Sequence, residues 1–253
     1  MQILLSCAKD MKPESTIIPP TETTPVFQQQ AEAIAVEMMN YSAEELEMML
    51  KTNRQIGLLN KLRYTSFLEP EPKLAAVLSY TGMAYKHLNA EDFTPADFAF
   101  AQKHLWITSF LYGLLRPLDR IKNYRMEGYV RLPKNGDERM FDYWEPLLTD
   151  LLIRSIKEDD GVLLNVASAE MKSLFHWQRV EQEVKVIEPE FMVRKADKLK
   201  TVVVYAKMCR GAMARHIIKN RVASIEGIIG FEYEGFAYHP AISTACHPCF
   251  TME

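Results

Sequence analysis

The spacing of apolar and polar residues predicts short buried strands that alternate with amphipathic helices. Residues 2–7 form a brief apolar run before a polar turn, and residues 161–167 are almost continuous Val and Leu. Both patterns are typical of strands that are covered by protein on their faces. Further strands are predicted over residues 75–80, 105–112, 181–194, 199–206 and, as a strand or hairpin, 227–238. Helices are predicted over residues 25–40, 42–51, 54–67, 94–104, 141–158 and 212–220.

Two of the predicted helices also carry start signals. Ser42 is followed three residues later by Glu45, the pattern of a capping box, in which each side chain accepts from the other residue's backbone N–H. Thr94 precedes Pro95, and proline suits the first helical position because the N–H that it lacks would be unpaired there. The order of elements predicts an α/β fold (mixed α+β) with a mixed sheet flanked by helices.

The composition sets the size of the folded unit. The 253 residues are 48% hydrophobic and 25% charged, as in ordinary globular proteins. A chain of this length buries enough surface to fold without a disulfide or a metal. Because no flexible linker is found, a single domain over residues 1–253 is predicted, and disorder in residues 240–253 is left open.

Charge and targeting signals restrict the function further. The net charge of -3 argues against a generally basic nucleic-acid binder, so DNA binding would need cations gathered in one place. The first residues lack the charged start and apolar stretch of a signal peptide. No run of 18 apolar residues is present, so no membrane span is expected. Four cysteines in a chain without an export signal are expected to be reduced, which favours the cytoplasm.

A first group of unusual polar residues follows the apolar run at 105–112. Arg116 stands before Pro117, and Arg125, Glu127 and Arg131 occupy alternate positions that share one face of an extended segment. Two arginines flanking a glutamate can bind phosphates while the carboxylate orients the guanidinium groups. The same pattern also serves as a structural ion-pair network, and both interpretations stay open.

A second group lies in residues 202–221. Here we predict that a strand ends, that a loop carries Lys207 and Arg210, that Gly211 permits a sharp turn, and that a helix then begins. Arg215 lies on the polar face of that helix, and no acidic residue interrupts the cations of the segment. This asymmetry favours phosphate binding at a helix start over a solvated helix face.

Lys9 and the cysteines complete the candidate chemistry. Lys9 follows the first strand, where ligands bind in open α/β sheets. Cys246 and Cys249 form a Cys-x-x-Cys without the second ligand pair that a zinc site needs. No nucleotide-binding or metalloprotease motif is found, so neither a metal nor a cofactor is expected.

At these residues the sequence resembles the YaaA-type peroxide stress-response family. The matching segments follow the family's order and cover nearly the whole chain: Ser6-x-Ala-Lys9, residues 111–119, Tyr124-Arg-x-Glu-x-x-x-Arg-Leu132, Phe141-x-x-Trp144, Leu164-Asn-x-Ala-Ser168 and Tyr205-Ala-Lys-x-x-Arg-Gly-x-Met-x-Arg215. The chain departs from the family where Cys7 replaces a proline and Asp10 replaces a hydroxyl residue.

The resemblance implies a DNA-binding protein with a positively charged cleft that takes double-stranded or distorted DNA. It also implies a helix-hairpin-helix element, which we place at residues 50–67 with Gly57 at the hairpin and Arg54, Lys61 and Arg63 facing phosphates. The predicted DNA-binding residues are Lys9, Arg116, Arg125, Arg131, Lys207, Arg210 and Arg215.

Two other functions compete with DNA binding. An enzyme acting on a phosphorylated or nucleotide substrate would use the same loops, with Lys9 or Lys207 stabilising charge and Glu127 or Glu170 as acid or base. Redox or iron handling would use Cys246 and Cys249 instead. The sequence does not assign catalytic residues or an oligomeric state.

Overall fold

Helices and short strands alternate along the chain in a computed structural model, which describes residues 1–70, 72–196 and 198–252. The helices are α1 Gln28–Met38, α2 Ala43–Met49, α3 Arg54–Thr65, α4 Ala76–Ser79, α5 Met83–Leu88, α6 Pro95–His104, α7 Met140–Glu158, α8 Trp177–Glu183, α9 Val203–Asn220 and α10 Ile225–Ile229. The strands are β1 Gln2–Leu5, β2 Leu74–Ala75, β3 Leu105–Ser109, β4 Gly113–Leu115, β5 Arg120–Ile121, β6 Val162–Asn165, β7 Lys185–Ile187, β8 Glu190–Lys195, β9 Lys198–Lys200, β10 Ala237–Tyr238 and β11 Cys249–Met252.

The larger sheet of the described residues has the strand order β4-β3-β1-β6-β7. β1 is parallel to both β3 and β6, and β7 is parallel to β6, whereas β4 runs antiparallel to β3. The side chains of Ile3, Leu4 and Leu5 are almost completely buried, as expected for a strand covered on both faces. The mixed sheet flanked by helices confirms the predicted α/β class.

Helix α7 shows how the flanking layer is built. Trp144, Leu148, Leu152 and Ile156 recur every four residues and are all buried, so one face of the helix packs onto the sheet. The Trp144 indole N–H donates to the Phe110 carbonyl at 2.9 Å, which ties α7 to the end of β3. The helix begins within one residue of its predicted start.

The C-terminal segment belongs to a second sheet, in the order β10-β11-β8-β9. β11 lies between β10 and β8 and pairs in parallel with β8, with Phe250 opposite Phe191 and buried. Residues 249–252 therefore form a strand of this sheet, within the segment for which the sequence analysis left disorder open. Glu253 lies outside the described residues.

Several predicted elements have different structures. Residues 76–79 are helical, the stretch predicted as a strand over residues 181–194 begins with the end of α8 and then forms β7 and β8, and residues 225–229 form α10. The most consequential difference concerns residues 203–220, which form one continuous helix rather than a strand, a loop and a helix. The β-branched residues at 202–204 favour a strand, but packing of α9 against α5 overrides this local preference.

At Gly211 the backbone of α9 lies directly against the backbone of α5. A Cβ atom at this position would lie 1.9 Å from the Ala84 carbonyl oxygen, so only glycine permits the contact. Gly211 therefore serves helix packing and not a turn, and Lys207 and Arg210 lie on the helix itself.

Residues 50–67 begin at the residue that follows α2 and contain all of α3, and the two helices pack against each other. The chain reverses between Met49 and Arg54, with Lys51 at a positive φ of 47°. Gly57, predicted as the hairpin residue, lies inside α3, where a Cβ would be 2.6 Å from the Ala43 carbonyl oxygen. The side chain of Lys61 donates to the Met39 carbonyl at 2.6 Å.

The helices offer no candidate for a membrane span. None of them, within the part of the chain that the structure describes, is both long and apolar enough to cross a bilayer.

We predict that Gly211→Ala lowers the free energy of unfolding by about 3 kcal/mol, because the added methyl forces α9 away from α5. Urea unfolding followed by circular dichroism measures this loss. Gly230→Ala is the control, since its Cβ would meet its nearest neighbour only at 3.4 Å, and it should change stability by less than about 1 kcal/mol. Equal stability of the two variants would contradict the proposed role of Gly211.

Candidate functional site

A cavity of about 290 Å³ opens where β1, β3 and β6 end. In the sheet, β3 lies on one side of β1 and β6 lies on the other side, so the strand order reverses direction at β1. Such a reversal of strand order leaves a crevice at the carboxyl ends of the strands, where open α/β proteins bind ligands. The polar lining residues are Ser6, Cys7, Lys9, Asp10, Thr81, Tyr85, Tyr124, Arg125, Glu127, Ser168, Glu170, Lys207 and Arg210.

The loop after β1 is held in place from three sides. The Ser168 backbone N–H donates to the Ser6 hydroxyl oxygen at 2.8 Å, which joins the ends of β1 and β6. The Tyr85 hydroxyl donates to the Ser6 carbonyl at 2.9 Å from α5. The Cys7 N–H donates to the Thr108 hydroxyl oxygen at 3.3 Å from β3. The fold thus fixes the backbone that carries Lys9 at the cavity.

Glu127 organises two of the predicted cations. Its buried carboxylate accepts from Arg125 Nε at 2.7 Å and from a terminal guanidinium nitrogen at 2.6 Å. Lys9 Nζ lies 3.2 Å from the same carboxylate oxygen, although most of the Lys9 side chain is exposed. The arrangement leaves both cations at the cavity wall with their charge partly neutralised.

Lys207 and Arg210 reach the cavity from α9, one turn apart. Arg210 is half-buried, and among the described residues it has neither an ion-pair partner nor a hydrogen-bond acceptor. Burial lowers its pKa, and Glu188 partly opposes this by its charge. Arginine stays protonated at neutral pH, so Arg210 is a charge without a close counterion beside an open cavity.

The remaining walls are acidic and apolar. Asp10 and Glu170 add carboxylates, so the cavity contains both signs of charge. Met83, Phe110 and Tyr124 provide apolar surface. The combination suits a ligand that carries an anionic group together with a planar or apolar part and hydrogen-bonding groups.

Four of the seven predicted binding residues therefore line one cavity, and three lie elsewhere. Arg116 lies over the Trp106 ring at 3.4 Å and donates to the Gln2 side chain at 3.1 Å and the Leu105 carbonyl at 3.2 Å. Burial lowers its pKa to about 10, which leaves it charged at neutral pH. Its partners Gln2 and Leu105 are the first residues of β1 and β3. Arg116 therefore joins the amino ends of these strands, whereas the cavity lies at their carboxyl ends.

Arg215 and Arg131 are also held by other parts of the fold. Arg215 pairs with Asp92 through two bonds of 2.6 and 2.7 Å and donates to the Leu88 carbonyl at 3.2 Å. These bonds hold the C-terminal end of α5 against α9. Arg131 donates to the Asp137 carbonyl at 2.6 Å and lies in an isolated bridge with Arg139.

The sequence analysis did not predict that α5 forms part of the cavity wall. Gly82 precedes α5 with a φ of 105°, which glycine adopts more readily than other residues. Met83 and Tyr85 follow on the helix and line the cavity. A glycine before a short apolar helix was the only local signal, and it does not by itself indicate a ligand site.

Cys7, Cys209 and Cys249 are poor nucleophiles in this structure, because their thiols resist ionisation. Burial raises the pKa of Cys7, in the cavity wall, to about 12, that of Cys209 to about 12 and that of Cys249 to about 11. Cys249 is buried in β11, whereas Cys246 is exposed. No cluster of His, Cys, Asp and Glu suited to a metal occurs among the residues that the structure describes.

The fold and the cavity define an open α/β protein with a cavity of mixed charge at a topological switch point. Residues 1–242 match the sequence pattern of a family described as peroxide stress protein YaaA. A UPF0246 protein of Phocaeicola vulgatus is 53% identical over 253 residues, covering 100% of this chain and 99% of that protein. A UPF0246 protein of Colwellia psychrerythraea is 33% identical over 258 residues, with 100% and 99% coverage. The chain belongs to the peroxide stress protein YaaA family.

We predict that Cys246 is the only cysteine alkylated rapidly by iodoacetamide at pH 7.5 in the native protein. Thiolate is the reactive form, and the raised pKa values of Cys7, Cys209 and Cys249 keep these thiols protonated at that pH. Mass spectrometry after brief labelling identifies the modified residue, and labelling in urea should reach all four. Rapid labelling of Cys7 in the folded protein would show that its thiol is ionised after all.

Proposed function

We propose that this chain binds DNA in the peroxide stress response and that one phosphate-bearing nucleotide unit occupies the cavity. The observation that carries the proposal is Arg210, a half-buried guanidinium that lines the cavity and has no close partner among the described residues. A charge in this position is unfavourable unless a ligand supplies the anion. Planar guanidinium groups bind phosphate oxygens with two parallel hydrogen bonds, so a phosphate is the matching anion.

The neighbouring cations support the same ligand. Lys207 lies one turn before Arg210 and is exposed, so it adds charge without constraining geometry. Arg125 is oriented by Glu127, and this orientation restricts the directions in which its other N–H groups can donate. Together these side chains attract a phosphate by their charge and fix the orientation in which it is bound.

The size of the cavity limits what can enter it. A volume of about 290 Å³ is near the lower end of the range for small-molecule sites. A DNA duplex must therefore remain outside, while a single nucleotide unit can enter if it leaves the base stack. Phe110, Tyr124 and Met83 supply apolar surface for a base or a sugar.

The thiol chemistry of the cavity, where Cys7 is the cysteine in the wall, favours a binding role there over direct destruction of peroxide. Reaction with peroxide requires a thiolate, and burial disfavours that form at Cys7, Cys209 and Cys249. We place the protein in the cytoplasm, where it meets the chromosome. The start of α3, after the turn that follows α2, is a second candidate DNA contact through the exposed side chain of Arg54, which lies 3.4 Å from the Glu44 carboxylate.

We predict that Arg210→Ala weakens binding to a fluorescent DNA duplex containing an unpaired bubble by about tenfold at low salt, since a hydrogen-bonded charge pair is lost. The slope of log affinity against log salt should also fall by roughly one, because one phosphate is no longer neutralised. Fluorescence anisotropy across a salt series measures both quantities.

Lys157→Ala is the control for the loss of one positive charge, here a lysine that pairs with Glu183 at 2.6 Å. Lys157 is exposed at the end of α7, just before β6 begins. It therefore lies near the amino ends of the strands, whereas the cavity lies at their carboxyl ends. Its removal should change affinity by less than about twofold. Equal affinities of the Arg210 and Lys157 variants would remove the cavity from the DNA-binding surface, and a thermal melt checks that both variants are folded.

An enzyme acting on a nucleotide is the second candidate function. The observation that favours it is Glu170, an exposed carboxylate at the cavity with no ion-pair or hydrogen-bond partner among the described residues. A carboxylate beside phosphate-binding cations can act as a general base. Incubation with nucleotides and short DNA, followed by mass spectrometry, would detect a product, and loss of that product in Glu170→Gln would assign the base.

A further inference from the structure

The hairpin formed by β8 and β9 concentrates lysines on one of its faces. Lys195 pairs directly with Lys198, and Lys200 is opposite Val193. Residues opposite each other in an antiparallel pair share a face, as do alternate residues of one strand. Lys195, Lys198 and Lys200 therefore lie on the same face of the hairpin, and all three are exposed.

These lysines have no neutralising partner in the part of the chain that the structure describes, which excludes residue 197. None of the three forms an ion pair or hydrogen bond with another residue in the described ranges. Like charges directly opposite in a strand pair repel each other, which is unfavourable for an isolated hairpin. Glu190, the nearest acid on β8, lies on the other face together with Arg194.

The lysine face continues toward the cavity. Phe191 and Val193 share this face and are buried, and the rings of Phe191 and Tyr205 both lie close to Phe236, at 6.3 and 6.2 Å. Helix α9 therefore begins on the side of the sheet to which the lysines point. Its exposed first turn leads to Lys207 at the cavity.

The first turn of α9 has its own character. Val203, Val204 and Tyr205 are all exposed, with 67%, 45% and 37% of their surface accessible. Three exposed side chains that are apolar or aromatic thus lie along the chain between the hairpin lysines and Lys207. Single-stranded nucleic acids are commonly bound by a track of cations interrupted by apolar or aromatic side chains, which contact bases while the cations follow the backbone.

We propose that the lysine face of the β8–β9 hairpin binds the phosphodiester backbone of the DNA strand on one side of the cavity. The strand passes from Lys195, Lys198 and Lys200 over the first turn of α9 to Lys207 and Arg210. This assignment rests on the proposed DNA binding at the cavity. It extends the contact from one nucleotide to a strand and does not depend on base sequence, because only phosphates and base faces are contacted.

The test combines a triple variant with two lengths of DNA. We expect Lys195→Gln/Lys198→Gln/Lys200→Gln to bind a fluorescent strand of about 20 nucleotides at least tenfold more weakly at low salt, and its salt slope to fall by roughly two. Binding of a labelled mononucleotide, the unit that we propose for the cavity, should be unchanged. Replacing the same three lysines by arginine should restore the affinity for the long strand.

Charge-matched controls separate contact from general attraction. Lys103, Lys157 and Lys185 are exposed and lie just before β3, just before β6 and at the start of β7, at the edge of the sheet away from the cavity. Their triple replacement by glutamine should weaken binding by less than about threefold. An equal loss in the two triple variants would overturn the hairpin contact.

The remaining outcomes distinguish this proposal from the one on which it rests. Absence of DNA binding by the unmodified protein at low salt would overturn both. If Arg210→Ala weakens binding and the hairpin variant binds the long strand like the unmodified protein, only the hairpin proposal fails. The lysines would then act by preventing the edge strand β9 from pairing with other chains, and light scattering of the triple variant would show the resulting association.

Discussion

The close contact between α9 and α5 at Gly211 and Ala84 is the constraint on which the candidate site depends. It brings Lys207 and Arg210 to the same cavity that the loops after β1 and β6 form on the other side. Because Gly82 and Tyr85 belong to the segment that α9 contacts, the contact also fixes the hydrogen bond that holds Ser6. The site is therefore assembled from parts of the chain that no local sequence pattern connects.

Local signals predicted the elements whose starts are determined by neighbouring residues. The capping box at Ser42 and the helix start at Thr94 before Pro95 form as expected, since each depends only on residues near each other in the chain. Asp97 also completes a capping box with Thr94, which the sequence analysis did not predict. The run at residues 202–206 was assigned wrongly, because its β-branched residues favour a strand while the buried contacts of α9 favour a helix. Propensity failed where distant packing supplies more stabilisation than the backbone preference.

The candidate site was predictable to the extent that charge alone identifies it. Lys9, Arg125, Lys207 and Arg210 meet at the cavity, in agreement with the clustering of cations near strand ends. Arg215 was inseparable from them by sequence, because Asp92 is remote along the chain and comes close only through folding. A sequence displays cations but not their counterions, so it cannot distinguish a paired arginine from an unpaired one.

The position of β1 in the middle of its sheet has a consequence for synthesis of the protein. Ile3 pairs with Leu105 on one side and with Leu164 on the other. The pairing of β1 with both neighbours therefore cannot be complete until residues near 165 have left the ribosome. Contacts between such distant parts of a chain form slowly. During that interval the apolar side chains of β1 lack their strand partners, so they are open to contacts with other chains.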